Sequence, residues 1–283
     1  MDTHPAQSEK TVATRAASHA EPETTPVWAP GTGGPAAETV TLAWHPAGRP
    51  CGTAAVICPG GGYGGLCSSY EGHDIARWLN GMGITGVVLE YRCAPHRHPL
   101  PLEDAKRAMR LVRRAAPEKG LDPHRIGIVG FSAGGHLAST LATHFDPGNP
   151  AAPQGTVEGV SCRPDFQILV YPVISLLGFS HGGSRDNLLG PVQTGEMLRF
   201  LSNERQVTID TPPAFVAHSA TDQLVPVENS RAYVAALQAA GVAVAYHELA
   251  EGAHGLGCGS GPQWAEWQEK CEAWLKAANL AAP

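Results

Sequence analysis

Apolar residues along this chain alternate between two spacings, which predict strands and helices in turn. Continuous apolar runs rich in β-branched residues are typical of strands covered on both faces, while apolar residues three and four positions apart predict amphipathic helices. Strands are predicted at residues 53–58, 86–92, 125–130, 166–171, 214–218 and 242–249. Helices are predicted at residues 71–83, 101–119, 135–142, 194–201, 228–240 and 263–278. This alternation predicts βαβ units and an α/β fold with a mostly parallel central sheet and helices on both faces.

Three stretches depart from that regular alternation. Residues 38–45 alternate apolar and polar positions, which predicts an antiparallel edge strand. Residues 1–35 are rich in Ala, Pro, Thr and Glu without apolar periodicity, so we expect an extended or disordered segment. Residues 36–283 are then expected to form a single domain, with a small cap or insertion at about residues 173–213. A length of 283 residues with 43% hydrophobic composition fits one substantial domain.

Charge and cysteine content narrow the class of protein. The formal net charge is −6 and no long run of Lys or Arg occurs, which argues against a nucleic acid partner. No apolar run approaches the roughly 20 residues that span a bilayer, and the first residues do not resemble a signal peptide. The seven cysteines have no repeated spacing and no C-x-x-C pair, so we expect neither a metal site, a cofactor nor a disulfide framework. A cytoplasmic location is therefore predicted, and self-association into a homo-oligomer stays open.

The pentapeptide from Gly130 to Gly134 stands between a predicted strand and a predicted helix. The pattern Gly-x-Ser-x-Gly in that context is typical of a nucleophile elbow, where small neighbours let a strained serine project its hydroxyl. Ser132 is therefore the candidate nucleophile. A glycine-rich turn in an ordinary α/β domain is the alternative.

A serine hydroxyl becomes nucleophilic only when a base takes its proton and a carboxylate orients that base. In this architecture the acid and then the base follow the serine, each on a loop after a strand. Asp222 follows the strand at 214–218, and His254 follows the strand at 242–249. Glu228 and Glu251 remain alternatives to Asp222, which could also be an ordinary turn residue.

Other histidines fit the base position less well. His136 lies one helical turn beyond the serine and is expected to pack or to form a structural hydrogen bond. His218 and His247 lie within predicted strands. His254, flanked by small residues in a loop, is the candidate base.

An oxyanion intermediate requires N–H donors that converge on one oxygen. Ala133 follows the nucleophile directly, and the glycine run at 60–62 follows the strand predicted at 53–58. Gly61 and Gly62 are the candidate donors in that run, since glycine lets a backbone approach the substrate closely. A phosphate-binding loop is the alternative, but neither Gly-x-Gly-x-x-Gly nor a Walker motif is present.

Together these motifs resemble the α/β-hydrolase superfamily. They comprise Pro59-Gly-Gly-Gly-Tyr63, Gly130-Phe-Ser-Ala-Gly-Gly-His-Leu-Ala138, Pro164-Asp-Phe with Tyr171-Pro-Val-Ile, and Asp222-Gln-Leu-Val-Pro226 with His254-Gly255. The chain is similar to the acetyl-esterase and acetylxylan-esterase-like branch, near the bacterial hormone-sensitive-lipase-like esterases, over roughly residues 40–278. The resemblance implies Ser132 as nucleophile, Asp222 as acid and His254 as base, with Gly61, Gly62 and Ala133 as oxyanion donors.

Two departures from the lipase-like pattern point to small acyl groups. Pro59 replaces the histidine that begins the lipase-like glycine run, and the N-terminal segment is too polar for a two-helix cap. We therefore expect a serine carboxylesterase whose partner is a small acyl ester, acetyl to butyryl, with acetylated carbohydrate as one candidate. Tyr63, Phe131 and Tyr171 are expected to contact the substrate. A peptidase or amidase of the same fold and a non-catalytic ligand-binding homologue stay open as alternatives.

Overall fold

An eight-stranded sheet forms the centre of the computed structural model, which describes residues 21–153 and 156–282. Its strands are Glu23–Pro26 (β1), Thr41–His45 (β2), Ala54–Cys58 (β3), Thr85–Glu90 (β4), Ile126–Phe131 (β5), Gln167–Val170 (β6), Ala214–Ser219 (β7) and Val244–Leu249 (β8). The order across the sheet is β1-β2-β4-β3-β5-β6-β7-β8. Pairs that include β2 are antiparallel and all others are parallel. The predicted α/β fold with a mostly parallel sheet is confirmed.

Helices cover both faces of this sheet. They are Asp74–Asn80 (α1), Leu100–Ala115 (α2), Ser132–Thr143 (α3), Gly182–Leu189 (α4), Gly195–Phe200 (α5), Glu228–Ala239 (α6) and Pro262–Ala277 (α7). A π-helical turn at Ser69–His73 leads directly into α1. Across residues 21–153 and 156–282, no helix combines the length and apolar character that a bilayer span requires.

Each strand of the parallel region divides its side chains between two cores. Ile128 of β5 joins the cluster that includes buried residues of α2, α3 and α6, whereas Val129 joins the cluster under α1 and α7. Because successive side chains of a strand point to opposite faces, a continuous apolar run supplies both cores. Because these strands run parallel, the carboxyl ends of β3, β5, β7 and β8 lie along one edge of the sheet.

The predicted edge position of β2 is wrong. β1 pairs with β2 on its outer side, with Thr24 opposite Ala43. The sequence Glu23-Thr-Thr-Pro26 has no apolar alternation, so pattern reasoning could not identify it as a strand. Of the segment predicted to be extended or disordered, residues 1–20 lie outside the described residues, and the domain boundary at residue 36 stays a prediction.

The connection between β6 and β7 contains α4 and α5 without a strand among its described residues. The sequence predicted α5 at about the right position and missed α4, whose Gly182–Leu189 segment shows little helical periodicity. Asn187 of α4 donates a hydrogen bond from Nδ2 to the Gly62 carbonyl at 2.9 Å, so α4 lies against the glycine-rich loop. The assignment of residues 173–213 as a cap stays a prediction.

Candidate active site

Ser132 occupies a strained turn between β5 and α3. Its φ of +51° lies in the left-handed region that residues with a Cβ rarely adopt. A Cβ built on Gly130 would lie 2.7 Å from the Ala138 Cβ, and one built on Gly134 would collide with the backbone after β3. The two glycines of the pentapeptide therefore let strand and helix approach closely enough to hold this turn.

Three predicted residues meet at the carboxyl edge of the sheet. The Ser132 Oγ lies 2.9 Å from His254 Nε2, and His254 Nδ1 lies 2.6 Å from Asp222 Oδ2. Because an ionised carboxylate can only accept, the proton of His254 is on Nδ1 and Nε2 is free to accept from the serine hydroxyl. The sequence predicted this set from the order of the three loops, and the structure brings all three together.

Asp222 is held by donors on both of its carboxylate oxygens. Oδ1 accepts from the amides of Leu224 and Val225, both at 2.9 Å. Oδ2 accepts from His218 Nε2 at 3.2 Å in addition to His254. Burial acts to raise the pKa of Asp222, but the hydrogen bonds from His218 and His254 outweigh it and hold that pKa well below its usual range.

His218 is a site residue that the sequence assigned only to a strand. Its Nδ1 lies 2.8 Å from the Ser230 hydroxyl, and its Nε2 also lies 3.0 Å from the Val225 carbonyl. A carbonyl and a carboxylate both accept, so Nε2 carries the proton and Nδ1 accepts from Ser230. His218 thus links α6 to the acid loop. Its position four residues before Asp222 at the end of a strand was the available signal.

The remaining alternatives to the acid and the base have other surroundings. Glu228 begins α6 and contacts Arg231, while Glu251 is exposed. His247 lies 2.8 Å from a carboxylate oxygen of Glu266 on α7. None of these alternatives forms a hydrogen bond to Ser132 or His254 among the described residues.

The glycine-rich loop after β3 approaches Ser132 closely at Gly60. Gly61 and Gly62 have φ values of +129° and +66°, which favour glycine. Within the part of the chain that the structure describes, neither amide donates a backbone hydrogen bond. Ala133 is the second residue of α3, where helical amides have no acceptor within the helix. The role of these three amides as oxyanion donors stays a prediction.

Buried side chains hold this loop in place. Tyr91 donates from its hydroxyl to the Pro59 carbonyl at 2.6 Å, and the Gly60 amide donates to Glu71 Oε2 at 2.8 Å. Tyr63 bonds through its hydroxyl to His136 Nδ1 at 2.9 Å. A loop fixed at Pro59, Gly60 and Tyr63 keeps its amides oriented before substrate arrives, which is what oxyanion stabilisation requires.

The predicted substrate contacts of Tyr63, Phe131 and Tyr171 are corrected by the structure. Their side chains are 1%, 0% and 0% exposed, so they support the site from within the core and offer no open contact surface. Tyr63 is turned towards His136, which burial keeps neutral by lowering its pKa to about 4. The sequence placed these aromatic residues beside the motifs but could not show which way they face.

Phe131 and Tyr171 are buried side chains that pack next to the site. Phe131 stacks on Trp264 with ring centroids 6.1 Å apart and lies 5.9 Å from the Tyr171 ring. The rings of Tyr171 and His254 pack edge to face with their centroids 4.8 Å apart, and the Tyr171 hydroxyl donates to Glu71 Oε1 at 2.8 Å. These contacts limit the orientations that His254 can adopt.

An open groove of about 710 Å³ begins at His254. Thr221, Glu251 and Gln263 supply polar groups along it, and Leu224 is 52% exposed in its wall. His181 directly precedes α4, and burial, followed by the charge of His254, lowers the pKa of His181. Within residues 21–153 and 156–282, no group of three His, Cys, Asp or Glu side chains is arranged to hold a metal.

Comparison with known proteins identifies the family of this chain. A family model described as alpha/beta hydrolase fold matches residues 56–257, which is more than half of the chain. The chain belongs to the alpha/beta hydrolase fold family. The resemblance inferred from the motifs is therefore confirmed for the superfamily.

Similar proteins place this hydrolase in the esterase branch of the family. An acetylxylan esterase of Xylanibacter ruminicola is 34% identical over 83% of this chain and 47% of its own length. An endo-1,4-beta-xylanase B of Butyrivibrio fibrisolvens is 38% identical over 71% of this chain and 32% of its own length. The chain thus spans less than half the length of either relative.

A solved structure matches over nearly its whole length. The acetyl ester-xyloside bifunctional hydrolase from Caldicellulosiruptor lactoaceticus superposes with a TM-score of 0.87 at 39% identity, covering 93% of this chain and 98% of its own. A carboxylesterase from Lactobacillus plantarum gives a TM-score of 0.71 at 28% identity, covering 86% of this chain and 94% of its own. The acetyl-esterase-like branch inferred from the motifs is confirmed by these relatives.

Proposed function

We propose that this alpha/beta hydrolase is a serine carboxylesterase that removes acetyl and other short acyl groups from ester substrates. The hydrogen-bonded series from Ser132 through His254 to Asp222 carries this proposal. The named esterases among its relatives support it.

Each step of acyl transfer can be assigned to a residue of this site. His254 Nε2 takes the proton of Ser132 as the serine oxygen attacks the ester carbonyl, and Asp222 stabilises the imidazolium that forms. The amides of Gly61, Gly62 and Ala133 donate to the oxyanion of the tetrahedral intermediate. The imidazolium then protonates the departing alcohol, and water activated by His254 releases the acid from the acyl-enzyme.

The open groove at His254 favours an ester with a large alcohol part. The groove of about 710 Å³ begins at His254, the residue that delivers a proton to the departing alcohol. We therefore propose that acetylated carbohydrates are among the substrates, as the name of the acetylxylan esterase relative suggests.

Replacement of Ser132 by Ala tests the proposal most directly. The variant is expected to lose hydrolysis of 4-nitrophenyl acetate by at least about 10³-fold, because no other group can form the acyl-enzyme. Thermal unfolding should match the wild type, since only one hydroxyl is removed. A matched control is Ser180→Ala, outside the hydrogen-bonded series. Undiminished turnover by the Ser132 variant would disprove the assignment.

Acyl and alcohol preferences need separate measurements. A series of 4-nitrophenyl esters from acetate to octanoate should show kcat/KM falling beyond butyrate. Acetate release from acetylated xylo-oligosaccharides then tests the alcohol side.

A cytoplasmic location is likewise proposed, supported by seven unpaired cysteines. Fractionation of cells that express the native gene would test it.

A further inference from the structure

Glu71 is a buried carboxylate that the proposed acyl-transfer steps do not use. It lies in the π-helical turn Ser69–His73, and the residue is only 3% exposed. Single π-helical turns occur frequently at functional sites. The position of Glu71 below the oxyanion loop therefore calls for a physical explanation.

The two oxygens of Glu71 contact the two halves of the site. Oε2 accepts from the Gly60 amide at 2.8 Å, directly before the proposed oxyanion donors. A Cβ on Gly60 would lie 2.6 Å from that oxygen and 2.9 Å from the Ser132 Cβ, so the loop backbone is enclosed between Glu71 and the nucleophile. Oε1 accepts from Tyr171, whose ring packs against His254.

Glu71 has neutral donors but no permanent cation. Among the described residues, no Lys or Arg forms an ion pair with it. Burial raises the pKa of Glu71, while the hydrogen bonds from Tyr171 and Gly60 and the charge of His254 act in the opposite direction. An isolated buried charge is costly, and here the cation that relieves it is the one that forms on His254 during acyl transfer.

We propose that Glu71 is a positioning residue with an electrostatic role: it fixes the oxyanion loop through Gly60 and stabilises the His254 imidazolium of the transition state. The proposal rests on the proposed esterase function. Asp222 contacts the base directly, whereas Glu71 acts across the Tyr171 ring. The Glu71 carboxylate is buried away from water, so solvent screens its electrostatic field only weakly.

Other titratable groups surround this pair and belong in the interpretation of any pH profile. The groups that act electrostatically with Glu71 are Cys67, Tyr70, Tyr91, Tyr171 and His254. Asp222 and His181 also act on or respond to His254. The phenols and the thiol ionise only at alkaline pH. The fall in kcat/KM on the acidic side of the pH profile, its acidic limb, therefore reports the histidines and carboxylates.

Replacement of Glu71 by Gln isolates the charge. The Gln Oε1 can accept from Gly60, and its Nε2 can donate to the Tyr171 hydroxyl, which accepts as well as donates. Both contacts are kept while the charge is lost. We expect kcat for 4-nitrophenyl acetate to fall about tenfold with little change in KM, and the acidic limb of kcat/KM to move about one pH unit lower.

Controls separate the charge from the shape of the site. Glu269→Gln, an exposed carboxylate on α7, should leave the limb unmoved. Glu71→Asp keeps the charge but shortens the side chain, so it should lower kcat while keeping the limb near the wild-type position. Repetition at 1 M NaCl should preserve the shift of the Gln variant, since screening of a buried charge is weak.

An acidic limb that stays in place, or moves higher, in Glu71→Gln would overturn the proposal and leave Glu71 a purely structural contact. Failure of the esterase assignment would look different, because Ser132→Ala would then retain activity. Labelling by a fluorophosphonate should persist in Glu71→Gln, which shows that Ser132 is still activated. If the Gln variant does not fold, the Asp variant decides: a shifted limb in that charged variant would contradict the proposal.

Discussion

Glu71 and Asp104 are both buried carboxylates, and their surroundings differ in one decisive respect. Asp104 accepts from Arg92 Nε at 2.9 Å and from the Arg92 amide at 3.1 Å, and it also accepts from Trp28 Nε1 at 2.7 Å. The side chains of Arg92 and Asp104 are both 0% exposed. Asp104 therefore has a permanent cation beside it.

Among the residues that the structure describes, Glu71 accepts hydrogen bonds only from the Gly60 amide and the Tyr171 hydroxyl. A carboxylate with a permanent cation keeps the same charge balance throughout the life of the protein and serves the fold. A carboxylate without one is suited to a place where positive charge develops only during a reaction. The comparison suggests that the absence of an ion pair, not burial alone, identifies the buried acid that serves the site.

Among these buried acids, Asp222 is expected to have the largest effect on kcat, because its Oδ2 lies 2.6 Å from His254 Nδ1. Asp222→Asn should lower kcat by about 10⁴-fold, since an amide no longer selects the correct imidazole tautomer or stabilises the imidazolium. Steady-state kinetics with 4-nitrophenyl acetate measures the effect, and circular dichroism checks the fold. A loss smaller than that of Glu71→Gln would reverse the proposed ranking of the two acids.

Asp104→Asn should damage stability and leave chemistry intact. Removal of one partner leaves the Arg92 guanidinium buried and uncompensated, at a cost of about 3–5 kcal/mol in the free energy of unfolding. Urea denaturation measures this loss, with Glu103→Gln on the same helix as control. The folded fraction should keep the wild-type kcat. A stability loss below about 1 kcal/mol would mean that the ion pair is not what anchors this region.

Compared with Asp104→Asn, Glu71→Gln should change the free energy of unfolding less and with the opposite sign. Burial raises the pKa of Glu71 in the folded state, so its ionised form opposes folding at pH values above that raised pKa. This opposition declines as the pH falls and vanishes below the ordinary glutamate pKa of about 4.3. The variant should thus be at least as stable as wild type at pH 8, and the two should converge near pH 4. Urea denaturation across this range tests the sign; a less stable variant at pH 8 would contradict it.

The sequence was sufficient for features that depend on local pattern and chain order. Continuous apolar runs predicted the central strands, and the glycines around Ser132 predicted the strained turn. Asp222 and His254 could be found because parallel strands bring their following loops to one edge. Each of these inferences needs only the residue type and its distance from the end of a strand.

Features that depend on tertiary contacts were out of reach. Glu71 and Tyr171 are 100 positions apart in the chain, and no local pattern predicts their contact. His218 appeared as a strand residue because its role depends on the direction in which the side chain points. For the same reason Tyr63 was expected at the substrate, whereas its hydroxyl bonds to His136 in the core.

The four residues of β1 have a practical consequence for anyone who shortens this protein. β1 covers the outer side of β2, and Thr25 accepts a hydrogen bond from Trp44 Nε1 at 3.0 Å. A version that starts after Pro26 would leave the backbone donors and acceptors on the outer side of β2 without partners. Unpaired strands of this kind recruit other chains into intermolecular sheets. Truncations intended to improve expression should therefore begin before Glu23, or aggregation is the expected result.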